Sequence, residues 1–343
     1  VNILFYKEPS PLQSTLLTWT LAQELIMLGH YVDFMKVEHD KTPSGFYDWI
    51  YSGGEDTWEA IRLAQRIGAK VHIHSEGIEP WRVGLESAIK YGYNRDCTAN
   101  EIKGWKDHYS SWMSGMYEAD TCSLNGTNQV SPVEDHLFGG RKLANCYMRS
   151  CGSDWRFART IGEFKRKNYM VTVSRLSPNK RLMVIARALS MLDTENLPLW
   201  VIIGYGTKQE TDSLASFCKT HKIRFTFGSS CFGAEKWMWI RKARIMLSGY
   251  GGIQPGESLL CDTPILSMDH IDIEEQYRDA IFFAKDFDAE DFASKLQTLL
   301  SSNQSVLYQQ TTAGKRKLIN GDLYGCTQEI SARRLEKIFL ENM

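Results

Sequence analysis

Residues 169–206, YMVTVSRLSPNKRLMVIARALSMLDTENLPLWVIIGYG, carry the pattern that sets the fold. Tyr169–Ser174 is an apolar, β-branched run of strand length. Lys180–Leu192 spaces its apolar residues at helical intervals, and Leu199–Ile203 is a second buried strand closed by Gly204 and Gly206. Two such strands joined by a helix of ten or so residues imply parallel pairing through a right-handed crossover.

The same alternation extends in both directions. Downstream come a helix at Glu210–Thr220, a strand at Arg224–Phe227 and a helix at Glu235–Ala243. Ile245–Leu247, Glu257–Leu260, Pro264–Ser267 and Ala280–Phe283 continue the series, and Thr327–Glu341 is a long final helix. Upstream, Val1–Tyr6 reads as a strand. Leu17, Leu21, Leu25 and Leu28 mark a helix over Leu16–Leu28, with Gly29 at its C-cap. Tyr31–Met35 and Phe46–Tyr51 follow as strands, Thr57–Ile67 as a helix ended by Gly68, and Lys70–His74 as a strand. Tyr91–Tyr117 is aromatic, charged and helical in pattern. Trp105 and Trp112 in it either pack onto the sheet or stack on a sugar or lipid carrier. Ala119–Ala158 shows only turns, at Gly139-Gly140 and Cys151-Gly152-Ser153. The expected architecture is α/β, with two Rossmann-like, doubly wound domains. They are placed at 1–163 and 164–326, joined by the basic linker Phe164–Asn168. The helix over 327–343 is expected to pack back on the first domain. Ligands of such sheets bind outside the carboxyl ends of the strands, here expected in the cleft between the halves.

Composition narrows the chemistry. The 343 residues are 43% hydrophobic and 24% charged, enough for two separate cores. A net charge of −1 leaves no electrostatic footprint for a nucleic-acid backbone. Basic clusters at Arg156–Lys167 and Arg333–Lys337 read as solvated faces, or as contacts to an anionic surface. No apolar run reaches the ~20 residues that span a bilayer, and Lys7, Glu8 and Pro9 interrupt the first strand too early for a signal peptide. A cytoplasmic protein with at most peripheral membrane contact is expected. The eight cysteines include no C-x-x-C pair and read as core or free thiols. The sequons at Asn125 and Asn303 carry no weight in a cytosolic chain.

Two loops that follow strands hold candidate chemistry. In Ser174–Lys180, Arg175 and Lys180 flank a turn that opens a helix; they are either ligands for a diphosphate at the helix N-terminus or a solvated turn. In Ser248–Ser258, a glycine-dense loop lets backbone amides approach a ligand, and Glu257 heads the next helix, where a carboxylate can accept hydrogen bonds from the vicinal hydroxyls of a ribose. A flexible loop with a capping glutamate is the plainer account of that segment.

Together these segments resemble the retaining, nucleotide-sugar-dependent glycosyltransferases known as family four, or group 1, which have the GT-B architecture. VSRLSPNKR looks like that family's strand, Arg, four residues, Lys segment. LWVIIGYGTKQETDSL is similar to its strand, Gly-x-Gly, helix segment, and ARIMLSGYGGIQPGESLLCDTPIL to its glutamate-bracketed loop. The resemblance covers roughly the second half of the chain. It implies that Arg175 and Lys180 bind the donor diphosphate and that Glu257 holds the ribose. The amides of Gly251, Gly252 and Ile253 would face the sugar and phosphates, with Gly204 and Ser258 completing the donor set. Two departures stand out. The family's first loop glutamate falls on Gly249, and Asp262 replaces a glycine before Thr263-Pro264. In the first half, LAQELIMLGHYVDFM looks like the family's helix and strand, which makes His30 structural. The customary Gly-Gly after the first strand is absent; Ser10 or Ser14 would serve instead. Glu76 stands where the family has a histidine that meets the reacting sugar. His74, two residues earlier, is the second candidate, although a lone histidine in a strand is more often a satisfied core group.

The resemblance implies transfer of a hexose from a UDP- or GDP-linked sugar to a hydroxyl of a glycan, lipid-linked or protein-linked acceptor, with retention at the anomeric carbon. The nucleotide-sugar is the co-substrate, and no further cofactor is expected. Arg175 and Lys180 would neutralise the departing diphosphate in place of a metal; no Asp-x-Asp segment makes a convincing ligand loop. A nucleotide-sugar epimerase and a nucleotide-sugar binding protein without catalysis remain alternatives. A dinucleotide-dependent dehydrogenase is disfavoured, because no G-x-G-x-x-G follows the first strand.

Overall fold

The computed structural model describes residues 1–6, 13–35, 43–53, 56–75, 98–100, 103–104, 114–124, 143–148, 152–160, 162, 165–228, 233–250, 252–269, 277–323 and 326–343. They divide into two units: 1–152 together with 328–343, and 153–327. Each is built on a six-stranded sheet.

The first unit holds β1 (Asn2–Phe5), α1 (Gln13–Met27), β2 (Tyr31–Phe34), β3 (Trp49–Gly53), α2 (Thr57–Ile67), β4 (Lys70–Ser75), β5 (Thr121–Leu124) and β6 (Cys146–Met148). The strand order is β2-β1-β3-β4-β5-β6, and every pair is parallel. Side chains alternate between faces along a strand, so each face has its own core. Leu4, Ile50, Val71 and Ile73 meet Ile61 and Ala64 of α2. On the other face, Ile3, Phe5, Trp49 and Tyr51 meet Leu21 and Leu25 of α1. The C-terminal helix Gln328–Glu341 adds Leu335 and Phe339 to that second core.

β5 and β6 lie within the stretch whose sequence shows only turns. Thr121 and Ser123 are fully buried yet polar, so no apolar alternation marks β5. They are matched instead to histidines on β4: His72 Nδ1 lies 2.8 Å from Thr121 Oγ1, and His72 Nε2 lies 2.8 Å from Ser123 Oγ. Most of the helix expected over Tyr91–Tyr117 falls outside the described residues, Trp105 and Trp112 included; its end, Gly115–Tyr117, is a single 3-10 turn.

The second unit holds α3 (Trp155–Thr160), β7 (Tyr169–Val173), α4 (Leu182–Ser190), β8 (Leu199–Ile203), α5 (Lys208–Thr220), β9 (Phe225–Gly228), α6 (Gly233–Lys242), β10 (Ile245–Ser248), α7 (Gln254–Leu260), β11 (Ile265–Met268), β12 (Phe282–Ala284), α8 (Ala289–Ser301) and α9 (Gln304–Asn320). The order is β12-β11-β10-β7-β8-β9, again all parallel. From β7 the chain winds one way through β8 and β9, then returns to place β10 on the opposite side of β7. The reversal opens a crevice at the carboxyl ends of β7 and β10, where ligands of open α/β sheets bind. One face packs Met170, Trp200 and Leu247 against Ile185, Phe292 and Leu296; the other packs Val171, Val201 and Met246 against Trp237, Leu260 and Leu318.

Three expectations move. The helix over Lys180–Leu192 begins only at Leu182, because Pro178–Lys180 forms a 3-10 turn and Arg181 adopts φ 57°. α8 and α9 fill a region to which the sequence pattern assigned nothing. The division expected at 163/164 falls at 152/153, since α3 packs on α6 and buries Ala158 in the second unit's core.

Candidate functional site

The crevice is assembled from the exit loops of β7, β8, β10 and β12. Backbone hydrogen bonds tie the first two together, Ser174 N to Ile203 O and Leu176 N to Tyr205 O, both 2.9 Å. A Cβ on Gly204 would sit 1.8 Å from the Ser174 carbonyl oxygen, so this approach requires glycine. The β10 loop closes onto the β7 loop in the same way. A Cβ on Gly249 would lie 2.4 Å from the Lys180 carbonyl oxygen. The position that matches the family's first loop glutamate therefore has no room for a side chain in this backbone.

Arg181 pins the assembly. Its side chain is wholly buried; Nη1 donates to the Gly249 carbonyl at 3.1 Å and pairs with Asp286, beyond β12, at 3.0 Å. Phe287 covers its guanidinium at 4.3 Å. Lys180 is half-buried, with Nζ 3.5 Å from the centroid of the Tyr250 ring. Arg175 is exposed and makes no hydrogen bond or ion pair with the described residues.

Beyond the β10 loop, Gln254 is the anchor. It accepts from Ser248 Oγ at 2.6 Å and donates through Nε2 to the Val173 carbonyl. Gly252 is exposed with φ 68° and open space around it, and Ile253 caps α7. Gly251 lies outside the described residues. Glu257 is 2% exposed. Its Oε1 is 2.6 Å from Lys236 Nζ of α6, and its Oε2 is buried without a hydrogen-bond partner among the described residues. Ser258 is fully buried, and its hydroxyl donates to the Thr263 carbonyl at 2.8 Å, so that group is occupied within the loop. Burial, reinforced by the Glu257 charge, pushes the Cys261 thiol up. Asp262 takes the left-handed conformation, φ 54°, in which a glycine is the easier choice, and its carboxylate pairs with Lys315 at 2.7 Å.

In the first unit, Glu76 lies outside the described residues, as does Ser10, and nothing is described of the Ser14 side chain. His74 is fully buried, with Nδ1 2.7 Å from Ser123 Oγ and its ring stacked on Tyr51. It belongs to the same interior ladder as His72. His30 bonds Glu336 of the C-terminal helix at 3.0 Å. Two residues of the second unit's crevice escape a sequence reading. Arg181 is signalled only by its place beside Lys180. Lys236, 21 residues before Glu257, is signalled by nothing. Among the described residues no three His, Cys, Asp or Glu side chains gather to hold a metal ion, and no helix is long and apolar enough to cross a membrane.

Comparison with known proteins gives a family match for the second unit and a fold for the chain. Residues 153–317 match the family described as glycosyl transferases group 1. No curated protein sequence matches the chain. Among solved structures, it is similar to sucrose-phosphate synthase from Thermosynechococcus elongatus (TM-score 0.73, 12% identity, 99% of each chain covered). A glycosyltransferase from Rickettsia africae is also similar (TM-score 0.71, 12% identity, 99% of this chain and 98% of that one). So is HepE from Anabaena, solved in complex with UDP (TM-score 0.69, 13% identity, 100% of each). This chain has the GT-B architecture, and its residues 153–317 match the glycosyl transferases of group 1.

Proposed function

We propose that the protein is a retaining glycosyltransferase that moves a hexose from a nucleoside-diphosphate sugar, bound at the β7/β10 crevice, to a hydroxyl acceptor. The carrying observation is Glu257: a carboxylate 2% exposed, beside the switch point, with one oxygen in an ion pair and the other without a partner among the described residues. A buried carboxylate oxygen without a donor is costly, and the vicinal hydroxyls of a ribose would supply what it lacks. Arg175, unengaged at the β7 exit, and Lys180 are the cations for the diphosphate, with the amides of Gly251, Gly252 and Ile253 alongside. As the anomeric bond breaks, negative charge gathers on the departing diphosphate, and prepositioned cations stabilise that charge without a metal. Retention then follows if a phosphate oxygen takes the acceptor's proton on the face the leaving group occupied. The UDP bound to HepE supports trying uridine nucleotides first.

A thermal-shift series with UDP, GDP, ADP and their sugar conjugates, with and without EDTA, tests this. Ligand at ~100 times its Kd adds ~2.7 kcal/mol, a rise of several degrees. The shift is expected with one nucleotide family, undiminished by EDTA, and lost in Arg175→Ala and Glu257→Ala. Arg175→Ala should also cut turnover ~10²-fold or more. No shift with any nucleotide would refute the site. A second reading, nucleotide-sugar binding without transfer, is favoured by the filled space at Gly249. Full nucleotide binding with no transfer and no donor hydrolysis would decide for it.

A further inference from the structure

We propose that Lys236 is the positioning residue of the donor site, orienting Glu257 so that its free oxygen meets the 2′,3′-diol of a nucleoside diphosphate. The inference rests on the reading of Glu257 just given and adds the residue that makes it work. Lys236 stands in the first turns of α6, directly after the β9 exit, and Glu257 stands in α7. The two side chains are 9% and 3% exposed and meet at 2.6 Å. A carboxylate has about four lone-pair positions, and an ion pair that served stability alone would gain by satisfying both oxygens. Here Lys236 engages Oε1 only, and Oε2 has no partner among the described residues. The ammonium also lies 5.5 Å from the Trp237 ring, which limits where it can go. With Oε1 tethered, the carboxylate plane cannot swing, and the lone pairs of Oε2 hold one direction. Two O–H donors on adjacent carbons, at the spacing of a ribose diol, would fill them. A 2′-deoxyribose offers one donor and leaves the other lone pair dry.

The test is calorimetric titration of the folded full chain with UDP, GDP and ADP, each beside its 2′-deoxy counterpart. The wild-type protein should prefer the ribonucleotide by ~10-fold or more, the worth of one hydrogen bond to a charged group. Lys236→Met should bring that preference to within about threefold, by weakening the ribonucleotide while leaving the deoxynucleotide nearly unchanged. Lys236→Arg, which restores a cation, should recover part of it. Should the lone buried carboxylate unfold Lys236→Met, the pair Lys236→Met with Glu257→Gln removes both charges together and must likewise show no preference. A full preference retained in the folded variant, or an equal loss for both nucleotides, overturns the positioning role and leaves the Glu257 reading standing. Nucleotide binding with no preference in the wild-type protein overturns both.

Discussion

At the scale of single residues, Arg166 shows how a side chain from a segment of linker character becomes structural. Its guanidinium donates to the carbonyls of Arg241 and Ala243 at the end of α6, at 2.8 and 3.1 Å, and to Thr263 Oγ1 at 3.0 Å. It also donates to the Asp262 carbonyl past the end of α7. Helix C-termini leave carbonyls unsatisfied and carry partial negative charge, so one planar cation with five donors serves both ends. Tyr308 stacks on it at 4.4 Å, and burial lowers the guanidinium's pKa from its usual value. Arg166→Ala should destabilise the second unit by about 3 kcal/mol, roughly 9 °C in Tm at ~3 °C per kcal/mol. Nucleotide affinity of the folded variant should stay unchanged. A Tm within 2 °C or so of wild type would show that water replaces the guanidinium at no cost.

At the scale of elements, the site is a matter of loops held at contact distance. Gly204 lets the β8 exit lie against the β7 exit, and Gly249 lets the β10 exit lie on Lys180. Between them, Arg181 in a left-handed conformation turns the chain into α4 and reaches across to the loop beyond β12. Gly204→Ala would force a methyl onto the Ser174 carbonyl. The two loops must then part, taking Arg175 away from the crevice. The expected result is a loss of ~2 kcal/mol or more of stability and at least ~10-fold weaker nucleotide binding, measured by denaturant unfolding and calorimetry. Unchanged affinity would separate the loop contact from the ligand site. By contrast, α5 carries its own start signal, a capping box in which Thr207 and Glu210 each bond the other's backbone amide.

At the scale of the whole molecule, the chain leaves its first unit at 152 and returns to it at 328. The returning helix lays Leu335, Ile338 and Phe339 against Ile3, Phe5, Trp49 and Tyr51, with Trp49 stacked on Phe339 at 4.8 Å. Each of these large side chains is worth ~1.5–3 kcal/mol when buried, and their sum approaches the ~5–15 kcal/mol that holds a domain folded. Deleting 328–343 should therefore unfold the first unit, seen as dye binding and rapid proteolysis of 1–152. Residues 153–327 should stay protected, and more so with nucleotide. A truncated chain whose first unit still melts cooperatively would mean that α1 and the sheet suffice.

Local signals in the sequence determined the alternation of strands and helices, because periods of 2 and 3.6 are written into apolar spacing and glycine stops. Leu199–Ile203, Gly68 and the glycine-dense loop after Ile245–Leu247 are of this kind. Arg175, Lys180 and Glu257 were legible as candidates through their loop context and the family resemblance. β5 and β6 were not, since Thr121 and Ser123 are buried by pairing with histidines from another strand and leave no period to read. Nor was Lys236, whose partner lies in the next helix but one strand away. Nor was the closed space at Gly249, which depends on a carbonyl some seventy residues earlier. Such features exist only once parallel strands have brought distant loops to one edge: side-chain periodicity is local, whereas burial, pairing and steric room are properties of the packed fold.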